Sequence, residues 1–274
     1  MRVSVIIPAC DAQDTLATGV ASLLAQDHAD WEGIVVADDR CDYAALLQAS
    51  GVTDRRLRFI ATGGVRTGCH HARNVGLAIA KGDFVTQLDA DDAISPSRLS
   101  TLLPVAAEHG AAADNLQAVA AADGALLDRP MRDLAVATRL DMAAFFALSM
   151  PLVPLVRRDH AQPRTEGVEF AEDVVANMRL IGRIGAMPVL PQASYVYRIA
   201  GTSMCNDAHA EAAFDAAYAA YEARLAAGDG FGLPAALRPV AQAGFAAKRV
   251  LNGAFAEARR EEPDLAFQDF AARR

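Results

Sequence analysis

Gly82-Asp83-Phe84-Val85-Thr86-Gln87-Leu88-Asp89-Ala90-Asp91-Asp92 reads as a short, apolar β-strand that runs straight into three carboxylates within four residues. Carboxylates crowded at a strand exit repel one another and resist burial, so such a cluster persists with a cation or a catalytic duty. An Asp-x-Asp at this place suits a hard divalent metal bound to a substrate phosphate. The plainer alternative is an acidic loop leading into the next helix, with Ser95 as N-cap and Pro96 at its first position.

Upstream, strand and helix signals alternate with short connections. Val3 to Ile7 is a buried strand ending at Pro8, and Asp14 to Gln26 carries Leu16, Val20, Leu23 and Leu24 at helical spacing, with Asp14 placed to cap it. Ile34 to Ala37 is a second strand ending in Asp38-Asp39, and Leu57 to Ala61 a third. Cys69 to Lys81 is a helix stopped by Gly82, and Phe84 to Leu88 is the fourth strand. This alternation predicts a mostly parallel sheet with helices on both faces. Ligands of such sheets bind beyond the carboxyl ends of the strands. There the acids collect: Asp11 after the first strand, Asp38, Asp39 and Asp42 after the second, and Asp89, Asp91 and Asp92 after the fourth.

The chain has 274 residues, enough for one large domain or a domain with an appended subdomain. Its formal net charge of −8 argues against a nucleic-acid partner held by a broad basic face. Val3 to Ala9 is a strand-length apolar run rather than a signal peptide, and no run of about 18 uncharged apolar residues suits a membrane span. Cys10, Cys41, Cys69 and Cys205 are far apart and lack zinc spacing, which fits reduced thiols in a cytoplasmic protein.

Downstream of Ser95 the pattern loosens. Leu116 to Ala121 and Ala125 to Leu127 flank Asp123-Gly124 as a hairpin, and Leu152 to Val156 is a further strand. Phe170 to Ile181 reads as a helix opening with Glu172-Asp173, and Ser194 to Ile199 alternates like an edge strand. From Ala208 the chain reads as helices broken near Gly228 to Pro234. Their apolar stripe (Phe231, Leu237, Val240, Phe245, Val250, Leu251 and Phe255) is expected to pack on the preceding domain or a second copy of the chain, with membrane contact secondary. The adjacent His70 and His71 diverge by about 100° on a helix and form no metal pair.

The run VSVIIPACDAQDTL (3–16), then IVVADDRCD (34–42), then ARNVGLAIAKGDFVTQLDADD (72–92), resembles the N-terminal half of the family 2 glycosyltransferases of the GT-A fold. The resemblance covers Arg2 to about Leu103 and continues weakly to FAEDVV (170–175) and YRIAGTSM (197–204). It implies an α/β, Rossmann-like GT-A domain over residues 1–207, with a nucleotide-sugar-binding half (1–103) and an acceptor and catalytic half (104–207); the helical extension (208–274), read from its composition, lies outside the resemblance. The implied activity is inverting transfer of a sugar from a nucleotide donor, UDP-sugar favoured, to an acceptor hydroxyl on a glycan, lipid or small molecule. By the same resemblance Pro8 and Ala9 flank the nucleotide base and Asp39 accepts hydrogen bonds from it. Arg66 and Arg73 lie in the segment that faces the donor; Asp91 is the ligand of a Mg2+ or Mn2+ ion, with Asp89 on the ribose or the metal's waters and Asp92 a third acid. Asp173 is the general base, Glu172 orients the acceptor or supports the helix, and Arg198 with Gly201 to Met204 closes over the diphosphate. The family's usual Gly-Ser after the first acid pair is replaced here by Arg40-Cys41. The location implied is cytoplasmic, extending to peripheral contact with the inner face of the membrane.

Two other enzyme classes fit less well. A haloacid-dehalogenase-like phosphatase carries its Asp-x-Asp on the first strand and continues with Gly-Thr; here Asp92-Ala93 follows instead. A dinucleotide-binding oxidoreductase needs a Gly-x-Gly-x-x-Gly after the first strand, which is absent. A non-catalytic nucleotide-sugar-binding scaffold is the non-enzymatic alternative.

Overall fold

Val3, Val5, Ile7 and Ala9 alternate onto one buried face of the first strand while Ile6 is buried on the other. A strand buried on both faces belongs inside a parallel sheet covered by helices on each side. The computed structural model, which describes residues 1–131, 136–168, 170–199, 210–263, 265, 267, 270 and 273, has that architecture. Strands β1 (Val3–Ala9), β2 (Trp31–Ala37), β3 (Leu57–Ala61) and β4 (Phe84–Gln87) run parallel in the order β3-β2-β1-β4. Beyond β4 the order continues β9 (Leu155–Arg157), β6 (Ala111–Ala120), β10 (Met187–Ile199) and β5 (Ala93–Ile94). In this second part β9 is antiparallel to both neighbours, β6 and β10 are parallel, and β5 is antiparallel to β10. Strands β7 (Leu126–Asp128) and β8 (Thr138–Leu140) pair with β6 and β10.

Helices α1 (Leu16–Leu24), α2 (Tyr43–Ala49) and α4 (Arg98–His109) contribute to the core on one face, and α3 (Cys69–Ile79) covers the other. Gly76 lets α3 sit close to the sheet, because a Cβ there would lie 2.5 Å from Ile6 and 3.2 Å from Val36. The expected helix terminators act differently in the structure. Gly82 does not end α3, whose cap is the extended Ala80; a Cβ at Gly82 would lie 2.6 Å from the Ser4 nitrogen, so glycine permits the close approach of β4's entry to β1. Asp14 caps nothing, since a backbone turn on the Ala12 carbonyl already takes the Thr15 and Leu16 N–H groups. Ser95 is held by the Ser194 carbonyl at the end of β5, so α4 starts only at Arg98.

Several elements differ from expectation, α2 and β10 among them. Helix α2 is seven residues long and buries only Tyr43 and Leu47, too short a repeat to stand out as periodic. Strand β10 is no edge: its thirteen residues lie between β6 on one side and β5 and β8 on the other. The hairpin across Asp123-Gly124 is present as β6 and β7.

After α5 (Met142–Phe146) and α6 (Glu172–Ile184), the chain ends in α7 (Ala210–Ala226) and α8 (Arg238–Glu261). These helices do not form a separate core. Phe245, fully buried, stacks edge-on against Phe146 at 5.0 Å, and one apolar cluster joins Ala111, Met142, Val175 and Val189 to Tyr218, Phe231 and Phe245. Of the stripe, Phe231, Leu237 and Phe245 therefore pack on residues 111–189, while Val240 and Val250 are exposed and Phe255 meets Phe267 and Phe270. Among the described residues no helix is long and apolar enough to cross a membrane.

Candidate functional site

The carboxyl ends of β1 and β2 place Asp11, Asp38 and Asp39 together, each with a different duty. Asp38 is buried and accepts from Thr62 (2.8 Å), Thr67 (2.6 Å) and the Gly68 N–H (2.9 Å), which fixes the loop between β3 and α3. Asp39 accepts from the Asp11 N–H (2.7 Å), the Cys41 N–H (3.0 Å) and the Tyr43 hydroxyl (2.6 Å). Burial alone would lift the Asp39 carboxyl, but these hydrogen bonds outweigh it and hold the group below the usual carboxylate range. Asp39 is thus a fixed, ionised acceptor at the mouth of the sheet. Arg40 follows with a positive φ of 63°, so the chain still turns sharply where the family's usual Gly-Ser is missing. Asp42 is the cap of α2 and takes the Ala45 N–H.

Pro8 is half-buried and in register with Val36, and the Ala9 carbonyl is occupied by the Asp38 N–H at 2.8 Å. Arg66 is exposed, with φ of 52°, and pairs with Asp11 at 2.5 Å. Cys10, Asp11 and Asp39 bring ligand atoms within 4.8 Å of one another; Arg66 already neutralises part of that charge. His70 is half-buried and His71 exposed on successive positions of α3, as expected of residues that diverge.

At the exit of β4 the three acids separate by environment. Asp92 is 1% exposed and accepts from the Tyr195 hydroxyl and the Arg198 N–H, both at 2.8 Å. Burial first, and then the Asp89 charge, push it up to about 8, so this acid ties the loop to β10 rather than facing the crevice. Asp91 is exposed at its tip, and partial desolvation with the Asp89 charge raises its carboxyl as well. Asp89 is half-buried and accepts from Arg73 at 2.6 Å. Arg198 is half-buried on β10, and its charge opposes the rise at Asp91. Gly201 to Met204, the remainder of that expected loop, lie outside the described residues.

Arg73 departs most from its expected place. Its guanidinium is buried and spans from Asp89 to Glu172, linking the β4 exit to the first turn of α6. Glu172 is 6% exposed and also faces Arg164 at 3.2 Å. Burial and the neighbouring Arg73 charge lower Arg164 to about 10, which leaves it protonated at neutral pH. Asp173, next to Glu172, is half-buried at the N-terminus of the helix, where the dipole favours negative charge. The preceding Ala171 is left-handed, with φ of 51° and ψ of 36°. A cavity of about 100 Å³, bordered by Asn74, Gln87 and Asn177, lies behind the two arginines and away from the carboxyl ends of β1 and β2.

A hard cation fits this donor set. Asp91 is accessible, with Asp89 beside it and the Arg198 charge acting on it, and Mg2+-like ions take one or two carboxylates with phosphate and water completing the shell. Tyr43, Arg164 and Tyr195 complete the site without having been expected, and Asn74, part of the ARN run, takes an unexpected contact with Arg164. Tyr43 had a readable cue, four residues after Asp39 in a helix start, whereas Arg164 and Tyr195 are brought in by tertiary packing alone.

The family model described as glycosyl transferase family 2 matches residues 4–150. The succinoglycan biosynthesis protein ExoO of Rhizobium meliloti is 30% identical over 212 residues, 72% of this chain and 60% of that protein. The chain thus spans about 60% of this relative's length. The Escherichia coli UDP-Glc:alpha-D-GlcNAc-diphosphoundecaprenol beta-1,3-glucosyltransferase WfgD is 34% identical over 90 residues, 33% of this chain and 35% of that protein. Among solved structures, S. aureus TarS 1–349 in complex with UDP-GlcNAc superposes with a TM-score of 0.70 at 19% identity, covering 92% of this chain and 72% of that one.

Proposed function

Since the chain belongs to glycosyl transferase family 2, whose GT-A architecture it shares, we propose that it transfers a sugar from a nucleoside diphosphate sugar to an acceptor hydroxyl with inversion at the anomeric carbon. The observation that carries this reading is the buried Arg73 bridge, which ties the acid at the β4 exit to the helix turn that bears Asp173. In this reading the donor-side acid and the turn that bears the base stand on one ionic frame.

In this reading the nucleotide lies across the carboxyl ends of β1 and β2, with its base against Pro8 and Ala9 and hydrogen-bonded to Asp39. Arg66, exposed at the rim, and Arg198, on β10, flank the diphosphate. Asp91 would hold a Mg2+ or Mn2+ ion with Asp89 oriented toward the ribose or the ion's waters; the cation supplies neutralisation of the diphosphate. Asp173 takes the proton of the acceptor hydroxyl as its oxygen bonds to the anomeric carbon, and the nucleoside diphosphate departs with the electron pair of the broken bond. Glu172 and Arg73, both buried, position the base and the acid.

UDP is the favoured nucleotide, in keeping with the UDP-GlcNAc of the TarS complex and the UDP-Glc in the name of WfgD. A diphosphoundecaprenol-linked sugar is a candidate acceptor, as the name of that relative describes for its own reaction, and implies work at the inner membrane face. The phosphatase alternative loses ground because its motif would have to follow β1, whereas Asp89 follows β4.

The deciding experiment screens nucleotide sugars against the purified protein with metal and with chelator. Transfer is expected from a UDP-sugar and only with divalent metal. Asp173→Asn is expected to keep nucleotide affinity while transfer falls about 10²–10⁴-fold. Asp91→Ala is expected to lose metal-dependent nucleotide binding by calorimetry. Donor binding without transfer or hydrolysis in the parent would leave only a binding scaffold.

A further inference from the structure

Helix α3 places two consecutive side chains, Arg73 and Asn74, toward the acceptor side. Arg73 reaches Asp89 and Glu172. Asn74 clasps the backbone of Arg164 from both directions: its Oδ1 accepts the Arg164 N–H at 2.6 Å and its Nδ2 donates to the Arg164 carbonyl at 3.1 Å. The Arg164 guanidinium, 18% exposed, then donates to Gln87 at 2.5 Å and faces Glu172 at 3.2 Å. The contacts close a ring through α3, the segment before α6, the first turn of α6 and the end of β4.

The ring has a local task. Ala171 holds a left-handed conformation that costs a Cβ-bearing residue energy and persists only where its surroundings fix it. Glu172, the next residue, accepts a hydrogen bond from Arg73 and forms an ion pair, without a hydrogen bond, with Arg164, and the segment leading to it is clasped at Arg164. A planar guanidinium can serve Gln87 and Glu172 together; an ammonium on a flexible stem can favour only one of them at a time.

We infer that Arg164 is a positioning residue for the transfer step, held by Asn74 so that it fixes Glu172 and thereby the turn on which Asp173 stands. The inference rests on the reading of Asp173 as the base. Arg164 acts through Glu172 and does not touch the nucleotide, so its loss displaces the base relative to the donor while donor binding persists. A displacement of about 1 Å in such a site costs on the order of 10² in rate.

The test compares Arg164→Gln, Arg164→Lys, Asn74→Ala and Asp173→Asn in the full chain, with steady-state transfer kinetics and UDP affinity by calorimetry in the presence of Mn2+. Arg164→Gln is expected to lower kcat about 10–100-fold with UDP affinity and donor KM within about twofold of the parent. Arg164→Lys is expected to recover part of kcat, and Asn74→Ala to reproduce the loss more weakly. If Arg164→Gln does not fold, the Lys and Asn74→Ala variants carry the same comparison. Parent kcat in Asn74→Ala and Arg164→Gln, or kcat and UDP affinity falling together with no recovery by lysine, overturns the inference while leaving Asp173 as base. Parent rates in Asp173→Asn overturn both.

Discussion

Replacing Arg73 with methionine tests the bridge most directly. The side chain is 10% exposed and Glu172 7%, so the substitution leaves a carboxylate in the interior with one of its two cations gone. Removing one partner of a buried ion pair costs about 3–5 kcal/mol. The remaining Arg164 contact at 3.2 Å reduces that cost. Asp89, 33% exposed, regains water and adds little. A loss of about 3 kcal/mol is therefore expected, or about 6 °C in Tm at roughly 2 °C per kcal/mol for a chain of this size. The assay is equilibrium urea unfolding of the parent, Arg73→Met, Glu172→Gln and the double variant. Adjacent charged partners in such a cycle couple by about 0.5–3 kcal/mol, and this pair belongs in the upper half because neither member is solvated. Arg73→Lys should restore little, since one ammonium cannot fork between Asp89 and Glu172. A coupling energy near zero, with Arg73→Met as stable as the parent, would refute the bridge.

Asp39→Ala removes the fixed acceptor beside Tyr43 and is expected to weaken UDP binding about 10-fold or more by calorimetry, at the scale of a hydrogen bond to a charged group. Asp92, lifted to about 8, binds a proton in the folded state that it lacks when unfolded; its contribution falls as pH rises from about 4 to 8, then levels off. Asp92→Asn should remove that slope and raise stability at pH 8 by several kcal/mol at about 1.4 kcal/mol per unit, read from urea unfolding in chelator; parallel pH profiles would contradict it. Phe245→Ala empties a fully buried ring site against Phe146 and is expected to cost about 3–5 kcal/mol; a near-neutral result in thermal unfolding would mean that α8 is dispensable to the core.

The legible and illegible parts of this molecule divide along sequence distance. The β1 run and the Asp89 exit were readable because a doubly buried parallel strand is apolar throughout and its polar exit stands next to it. Glu172-Asp173 at a helix start was readable for the same local reason. Arg73, Asp89 and Glu172 are each singled out by the sequence, but not their contact: Glu172 lies 99 residues from Arg73, a separation that no spacing rule covers. Arg164 and Tyr195 likewise join the site through packing, from a segment without periodicity and from a strand whose edge-like alternation concealed its central place. Short elements such as α2, with two buried residues, fall below the length at which periodicity speaks.

The shared aromatic cluster has a consequence for how this chain is made. Strands β1 to β4 pair among themselves, so the first 87 residues can organise as they leave the ribosome. Ala111, Met142 and Phe146 must wait for Phe245 to cover them. At about 5–20 residues per second, that wait lasts roughly 5–27 s of synthesis, with the apolar faces of β6 and α5 open. Premature termination between α6 and α8 would therefore release a finished sheet edge joined to an uncovered hydrophobic surface, a substrate for chaperones and proteases rather than a smaller enzyme.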